Sequence, residues 1–242
     1  MSELGELWLA RHGESEANVA ADRAESLGAE VIDVGNRDAD VPLSRVGAEQ
    51  ARALGEWLGS HPRPDTVWSS PYLRAIQTTQ VALESAGIDA AVTLDERLRD
   101  RELGILDALT SLGVQARYPL EAERRRWVGK YFYRPPGGES WADVALRLRS
   151  ALGELDSRHG GQTVLVVAHD AVIVLALHLL LGWSEERVLD FALGHTVPNA
   201  SVTRLARTEG GWELVEFATT AHLVTHDAPV TEHPGDKDAD VH

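Results

Sequence analysis

Apolar residues along the chain fall into two kinds of segment. Short apolar runs at Glu6 to Ala10 (ELWLA), Asp65 to Ser70 (DTVWSS), Ala91 to Asp95 (AVTLD) and Thr163 to His169 (TVLVVAH) predict strands. The last is apolar almost throughout, as expected of a central parallel strand. Between them the spacing is helical. Ser44 caps a predicted helix running to about Leu58, with Ala51, Leu54 and Leu58 on one side and Trp57 alongside. Ser70-Pro71 has the form of an N-cap followed by a first-turn proline, so a helix is expected to begin there. Ser140 with Asp143 forms a capping-box pattern, and Trp141, Val144, Ala145, Leu148, Leu152 and Leu155 continue as one apolar stripe. Ala171 to Leu181 is an apolar helix ending at Gly182. Ser201 to Arg207 and Trp212 to Ala218 flank Gly210-Gly211 and predict a hairpin at the sheet edge.

Three segments resist this pattern. Residues 19–42 are long, mixed and charged, and are expected as an irregular excursion near the active face with a short helix. Residues 105–138 are weakly periodic, rich in arginine and aromatics, and end in Pro135-Pro136-Gly137-Gly138, as expected of an insertion that covers something. Residues 225–242 hold two prolines, five acidic residues and almost no large apolar group, so an acidic, disordered tail is expected. There is no internal repeat. Alternating strands and helices predict an α/β three-layer sandwich: a mostly parallel central sheet, helices on both faces and an edge hairpin. Residues 1–224 are read as a single catalytic domain. In such sheets ligands bind beyond the carboxyl ends of the strands.

Composition narrows the chemistry. The 242 residues include no cysteine, which excludes disulfides, thiolate metal sites and a thiol nucleophile. The start, MSELGELWLA, has neither the basic residues nor the apolar core of a signal peptide, and no apolar window reaches the ~18 residues of a membrane span. A cytoplasmic protein without membrane contact is expected. The net charge of −15 argues against nucleic acid as a partner. An anionic substrate would have to be attracted by a local arginine cluster working against the global field.

Such a cluster is available at the strand ends. The first strand delivers Arg11 and His12, the second leads to Arg74 in the first turn of its helix, and the fourth delivers His169 and Asp170. If these strands are neighbours, two imidazoles and two guanidiniums converge. Without thiols or clustered carboxylates they make a poor metal site, because arginine repels a divalent ion. They make a good site for a dianionic phosphoryl group, which guanidinium forks grip in bidentate fashion. Imidazole beside a held phosphoryl group fits covalent catalysis, with water later removing the group and the arginines doing a metal ion's work. No cofactor is expected.

Arg11-His12-Gly13-Glu14-Ser15-x-x-Asn18 resembles the signature of the histidine phosphatase superfamily, in its phosphoglycerate-mutase-like branch. The resemblance continues in order through Pro42-Leu43-Ser44-x-x-Gly47-x-x-Gln50-Ala51, Ser69-Ser70-Pro71-x-x-Arg74-Ala75-x-Gln77-Thr78, Gly138-Glu139-Ser140 and Val167-Ala168-His169, covering roughly Leu7 to Ser201. It implies that His12 is the nucleophile, that Arg11, Arg74 and His169 complete the phosphate pocket, and that Asn18 adds a contact through its amide. It places the proton donor four residues before a glycine. In Leu98-Arg99-Asp100-Arg101-Glu102-Leu103-Gly104 that position is Asp100, where the family more often has glutamate. Asp100 is favoured, with Glu102 as the alternative, since two residues apart in an extended segment they point to one side. Either must be protonated to act as an acid. Asp170 departs from a frequent glycine and adds negative charge of unassigned role.

The leading expectation is a metal-independent phosphomonoester hydrolase with a phosphohistidine at His12, acting on a small phosphorylated substrate or a phosphopeptide. The first alternative is a phosphoglycerate mutase. Mutases of this family carry a longer stretch before the long helix, whereas here Pro135-Pro136 runs almost directly into Gly138-Glu139-Ser140, so water should enter more readily. The second alternative is a non-catalytic phospho-ligand or protein-binding module. His169-Asp170 as a metal phosphohydrolase dyad is disfavoured because the pair follows a β-run. His178 is expected in the core. Arg124-Arg125-Arg126 is read as a solvated face, with a recognition role for it and for Lys130, Tyr131 and Tyr133 left open. Monomer and dimer both remain open.

Overall fold

The computed structural model describes residues 5–233. Its sheet contains β1 (Glu6–Arg11), β2 (Thr66–Ser69), β3 (Val92–Leu94), β4 (Thr163–Ala168), β5 (Val202–Thr208) and β6 (Gly211–Thr219), in the order β3-β2-β4-β1-β5-β6. β4 lies parallel between β1 and β2, and β2 is parallel to β3. β5 pairs antiparallel with β1, and β6 with β5. The predicted edge hairpin is therefore present. Arg11 stands opposite Ala168 and Ser69 opposite Val167, so the carboxyl ends of β1, β4 and β2 are level with one another.

Alternation along the strands divides the core between two helical layers. Leu7, Leu9, Val164, Val166 and Ala168 pack with α6 (Trp141–Arg158) and α7 (Asp170–Leu180). Trp8, Ala10, Val67, Leu165 and Val167 pack against α2 (Arg45–Gly59) and α3 (Leu73–Ser85). Ser44 caps α2 through the Gly47 N–H, and Ser140 with Asp143 forms a complete capping box on α6, as the sequence predicts. No helix among the described residues is long and apolar enough to cross a membrane.

The departures have local causes. The stretch after His12 opens with a regular helix, α1 (Glu16–Ser26), capped by Ser15 and Asn18; only the remainder of 19–42 is irregular. α3 begins at Leu73 rather than Pro71; the Ser70 hydroxyl accepts from the Tyr72 N–H at 3.3 Å and also lies 2.8 Å from His169 Nε2. The covering insertion holds α4 (Ser111–Arg117) and α5 (Pro119–Val128). Its two ends are tied where Ile105 N–H donates to Pro136 and Glu139 N–H to Glu102. Gly104 adopts φ +56°, and a Cβ there would lie 2.2 Å from the Pro136 carbonyl oxygen, so only glycine closes this base. α8 (Glu185–Gly194) follows α7 without a sequence prediction.

The expected disordered tail is corrected over residues 225–233. After α9 (Ala221–Thr225) the chain turns back onto the sheet end, and Ala228 and His233 are buried. Gln50 Nε2 donates to the Pro229 carbonyl and to Thr231 Oγ1, and Asn199 N–H donates to the Thr231 carbonyl. Hydrogen bonding to interior polar groups substitutes here for the apolar burial that the composition lacks. Residues 234–242 of that expectation lie outside the described residues.

Candidate active site

The three level strand ends bring His12, His169, Arg11 and Arg74 together. The His12 and His169 ring centroids are 5.1 Å apart, and all four residues are at most 4% exposed. Gly13 and Gly47 make the arrangement fit. A Cβ on Gly13 would lie 2.5 Å from the Gly47 carbonyl oxygen, and one on Gly47 only 1.9 Å from that of Glu14. The exit of β1 is thus pressed against the start of α2, which explains a glycine directly after the histidine.

His12 Nδ1 is 2.7 Å from the Gly13 carbonyl oxygen. A carbonyl only accepts, so in the neutral ring Nδ1 carries the proton and Nε2 keeps a free lone pair. Burial, reinforced by Arg74, His169 and Arg11, pushes the His12 pKa well below its usual value. Burial and these neighbours favour the neutral ring, with its lone pair on Nε2.

His169 sits at the N-cap of α7. Its Nε2 is 2.8 Å from Ser70 Oγ and its Nδ1 3.1 Å from Asp100 Oδ2. Burial lowers its pKa, partly offset by Asp100. Arg74, in the first turn of α3, donates from Nη1 to the Asp38 carbonyl (2.7 Å) and Oδ1 (3.0 Å), and from Nη2 to Asp38 Oδ2 (3.3 Å) and Asp100 Oδ2 (3.0 Å). Arg11 donates from Nη1 to the Val197 carbonyl (2.6 Å) and from Nη2 to the His233 carbonyl (2.9 Å). Its Nε is buried and makes no hydrogen bond. A buried cationic donor left unpaired is costly, and an anion beside it would remove that cost.

The two candidate acids occupy different places. Asp100 stands between His169 and Arg74. Burial opposes its ionisation, but the charges of His169 and Arg74 and the Arg101 N–H outweigh burial and hold its pKa well below the usual range. Glu102 is exposed and accepts from the Tyr72 hydroxyl at 2.8 Å, without bonding either histidine or either arginine. Asn18 uses its amide oxygen to accept from the Ser15 N–H and hydroxyl, each at 3.0 Å, so only its NH2 group is left to meet an anion. Asp170 occupies the first turn of α7, where its carboxylate accepts from the Ala171 N–H and its charge supports that of Arg11.

The donor atoms of His12, Asp100 and His169 lie within 4.8 Å of one another, close enough to hold a metal ion. Arg74 is bonded to the same Asp100 oxygen that faces His169, so an ion placed there would meet a guanidinium at close range. The donor set therefore fits a phosphoryl group better than a divalent cation. His178 is a packing residue against the Tyr131 hydroxyl, as expected. Arg124 and Arg126 are exposed, while Tyr131 and Tyr133 point inward, Tyr133 onto Glu121, and hold the cover in place. Asp38, Ser70, Glu14 and His233 escaped the sequence reading as site residues. Ser70 stood in a recognisable motif, but nothing around Asp38 or His233 marked it.

The family model described as histidine phosphatase superfamily (branch 1) matches residues 7–220. A 2,3-bisphosphoglycerate-dependent phosphoglycerate mutase of Sinorhizobium fredii is 30% identical over 222 residues, covering 90% of this chain and 99% of that protein. A 6-phosphofructo-2-kinase/fructose-2,6-bisphosphatase of Caenorhabditis elegans is 34% identical over 168 residues, covering 69% of this chain but only 32% of the larger protein. The solved structure of a mycobacterial glucosyl-3-phosphoglycerate phosphatase in complex with VO3 superposes with a TM-score of 0.71 at 30% identity, covering 89% of this chain and all of that one.

Proposed function

Because this chain belongs to the histidine phosphatase superfamily, branch 1, we propose that it is a phosphomonoester hydrolase that forms a phosphohistidine on His12. The observation that carries the reading is the His12 ring itself. Its Nδ1 is engaged by the Gly13 carbonyl, its Nε2 is free, and it lies 5.1 Å from His169 among two buried arginines. Nε2 attacks phosphorus in line as the bond to the ester oxygen breaks, and Asp100 gives that oxygen its proton. Arg11, Arg74 and His169 hold the equatorial oxygens as charge spreads over them. Water then attacks the phosphohistidine, Asp100 takes up its proton, and inorganic phosphate leaves with Nε2 regenerated.

Arg74 and His169 favour the ionised form of Asp100. A dianionic phosphoryl group competes for Arg74 and adds negative charge nearby, so both effects raise the Asp100 pKa toward the form that donates. With two guanidiniums offsetting the charge, no metal is required. The deciding experiment follows p-nitrophenyl phosphate hydrolysis by the wild type and by His12→Ala, with and without EDTA. Loss of turnover in the variant and indifference to EDTA are expected. Wild-type turnover by the variant would remove His12 from the mechanism, and abolition by EDTA would overturn metal independence.

A second reading, phosphoglycerate mutase, is favoured by the near-complete overlap with the Sinorhizobium fredii protein. It uses the same phosphohistidine but returns the group to a substrate hydroxyl. A coupled assay with 3-phosphoglycerate separates the two, and rapid interconversion without net phosphate release would establish the mutase.

A further inference from the structure

A cavity of about 300 Å3 adjoins the phosphoryl site. The two share Asp38, whose carboxylate bonds Arg74, and Tyr72, whose ring lies under the same guanidinium at 4.9 Å. A phosphoryl group seated on Arg74 would direct its leaving group into this cavity, which is large enough for a small polyol or sugar. Five carboxylates line it: Asp38, Asp40, Glu96, Glu102 and Asp107. Two arginines, Arg37 and Arg99, also line it, so carboxylates outnumber guanidiniums five to two. Arg37 is paired with Asp40 at 3.0 Å and Arg99 with Glu139 at 2.5 Å. Glu96, Glu102 and Asp107 form no ion pair among the described residues, and Glu102 has only the neutral Tyr72 hydroxyl. Beyond the phosphate pocket the field that a substrate meets is therefore negative.

We propose that this acidic wall selects phosphomonoesters whose leaving group is neutral or cationic and discriminates against those carrying a second anion. The inference rests on the phosphatase reading above, because it takes Arg74 as the phosphoryl anchor. It deepens that reading by naming the substrate class. A carboxylate or second phosphate on the leaving group would face Glu96, Glu102 and Asp107, an excess of negative charge that Arg37 and Arg99 do not offset. A hydroxyl or ammonium group in the same place would gain acceptors. The wall thereby disfavours phosphoglycerates, the substrates that a mutase requires.

sn-Glycerol 3-phosphate and 3-phosphoglycerate make a matched pair, differing at one end by CH2OH against COO−. The wild type is expected to hydrolyse the first with kcat/KM at least about tenfold higher, from two or more like charges at partly screened range. Glu96→Gln/Asp107→Asn, at two exposed positions outside the reacting cluster, should raise kcat/KM for 3-phosphoglycerate about fivefold or more and so narrow its ratio to that for glycerol 3-phosphate. Equal kcat/KM for the two esters, or a ratio unmoved by the double variant, would overturn the selectivity. Calorimetric binding of both esters to His12→Ala reads the preference without turnover. A binding preference in His12→Ala together with a wild type that hydrolyses neither ester would count against the hydrolase alone, whereas equal binding would count against the acidic wall alone.

Discussion

Arg11 is held by an atom from the far end of the chain, and cutting that atom away tests how much the site depends on it. Its Nη2 donates to the His233 carbonyl at 2.9 Å and its Nη1 to the Val197 carbonyl at 2.6 Å, while Nε has no partner. Ending the chain after Ala228 removes the His233 carbonyl, both acceptors of Gln50 Nε2, and the Thr231 carbonyl that receives the Asn199 N–H. A hydrogen bond from a buried charged group is worth about 1.5–3 kcal/mol. If that is lost from the transition state because Arg11 is no longer aimed, kcat/KM for p-nitrophenyl phosphate falls roughly 10–100-fold. Two controls isolate the carbonyl. Ending the chain after Pro234 leaves every one of these bonds intact and should have wild-type kinetics. His233→Ala keeps the backbone acceptor of Arg11 but loses the imidazole contacts to the buried Glu14 (3.2 Å) and the exposed Asp22 (3.0 Å), so it should lower the melting temperature while kcat/KM changes by less than about threefold. Steady-state kinetics with thermal melts on all three proteins make the comparison. Wild-type kcat/KM in the protein ending at Ala228 would refute the idea that the tail positions Arg11. So would a loss equally large in His233→Ala, which would assign the effect to the imidazole.

Three further outcomes are expected. Asp100→Asn should lower kcat for glycerol 3-phosphate by about 100-fold or more, and far less for p-nitrophenyl phosphate, whose leaving group needs no proton; Glu102→Gln should not show this split, and the reverse pattern would make Glu102 the donor. Asp38→Asn removes a carboxylate that occupies the Arg74 fork at 3.0 and 3.3 Å, so the phosphate KM should fall about three- to tenfold with kcat little changed, and a raised KM would mean that Asp38 helps to bind substrate. His222 donates from Nε2 to the Ala200 carbonyl, and burial pushes its pKa down to about 4. Its folded pKa lies below its unfolded value of about 6.5, so its contribution to stability is complete above that value and is lost as pH falls toward 4. Denaturant unfolding at pH 7 and pH 5 should show a loss of about 2 kcal/mol from this group, absent from His222→Gln. An unchanged difference between the two pH values in the variant would assign the acid sensitivity elsewhere.

Much of the fold was legible because its signals are local. Ser44 and Ser140 cap their helices through groups three residues away, and the apolar run from Thr163 to Ala168 reads as a central strand wherever it is placed. The order Arg11-His12-Gly13, Ser70-Pro71, Arg74, Ala168-His169 was likewise visible, because each piece sits within a few residues of a strand end. Tertiary structure alone decided that β4 lies between β1 and β2, which turns three separate strand ends into one pocket. It also decided that Asp100 and not Glu102 stands between His169 and Arg74, that Asp38 in an aperiodic loop fills the Arg74 fork, and that the carbonyl of His233 holds Arg11. The last contact had no signature to read, since every residue carries the same carbonyl. Period and capping are written within a turn or two of chain, whereas a loop's partner is chosen by the surface it meets, and that surface exists only once the sheet has formed.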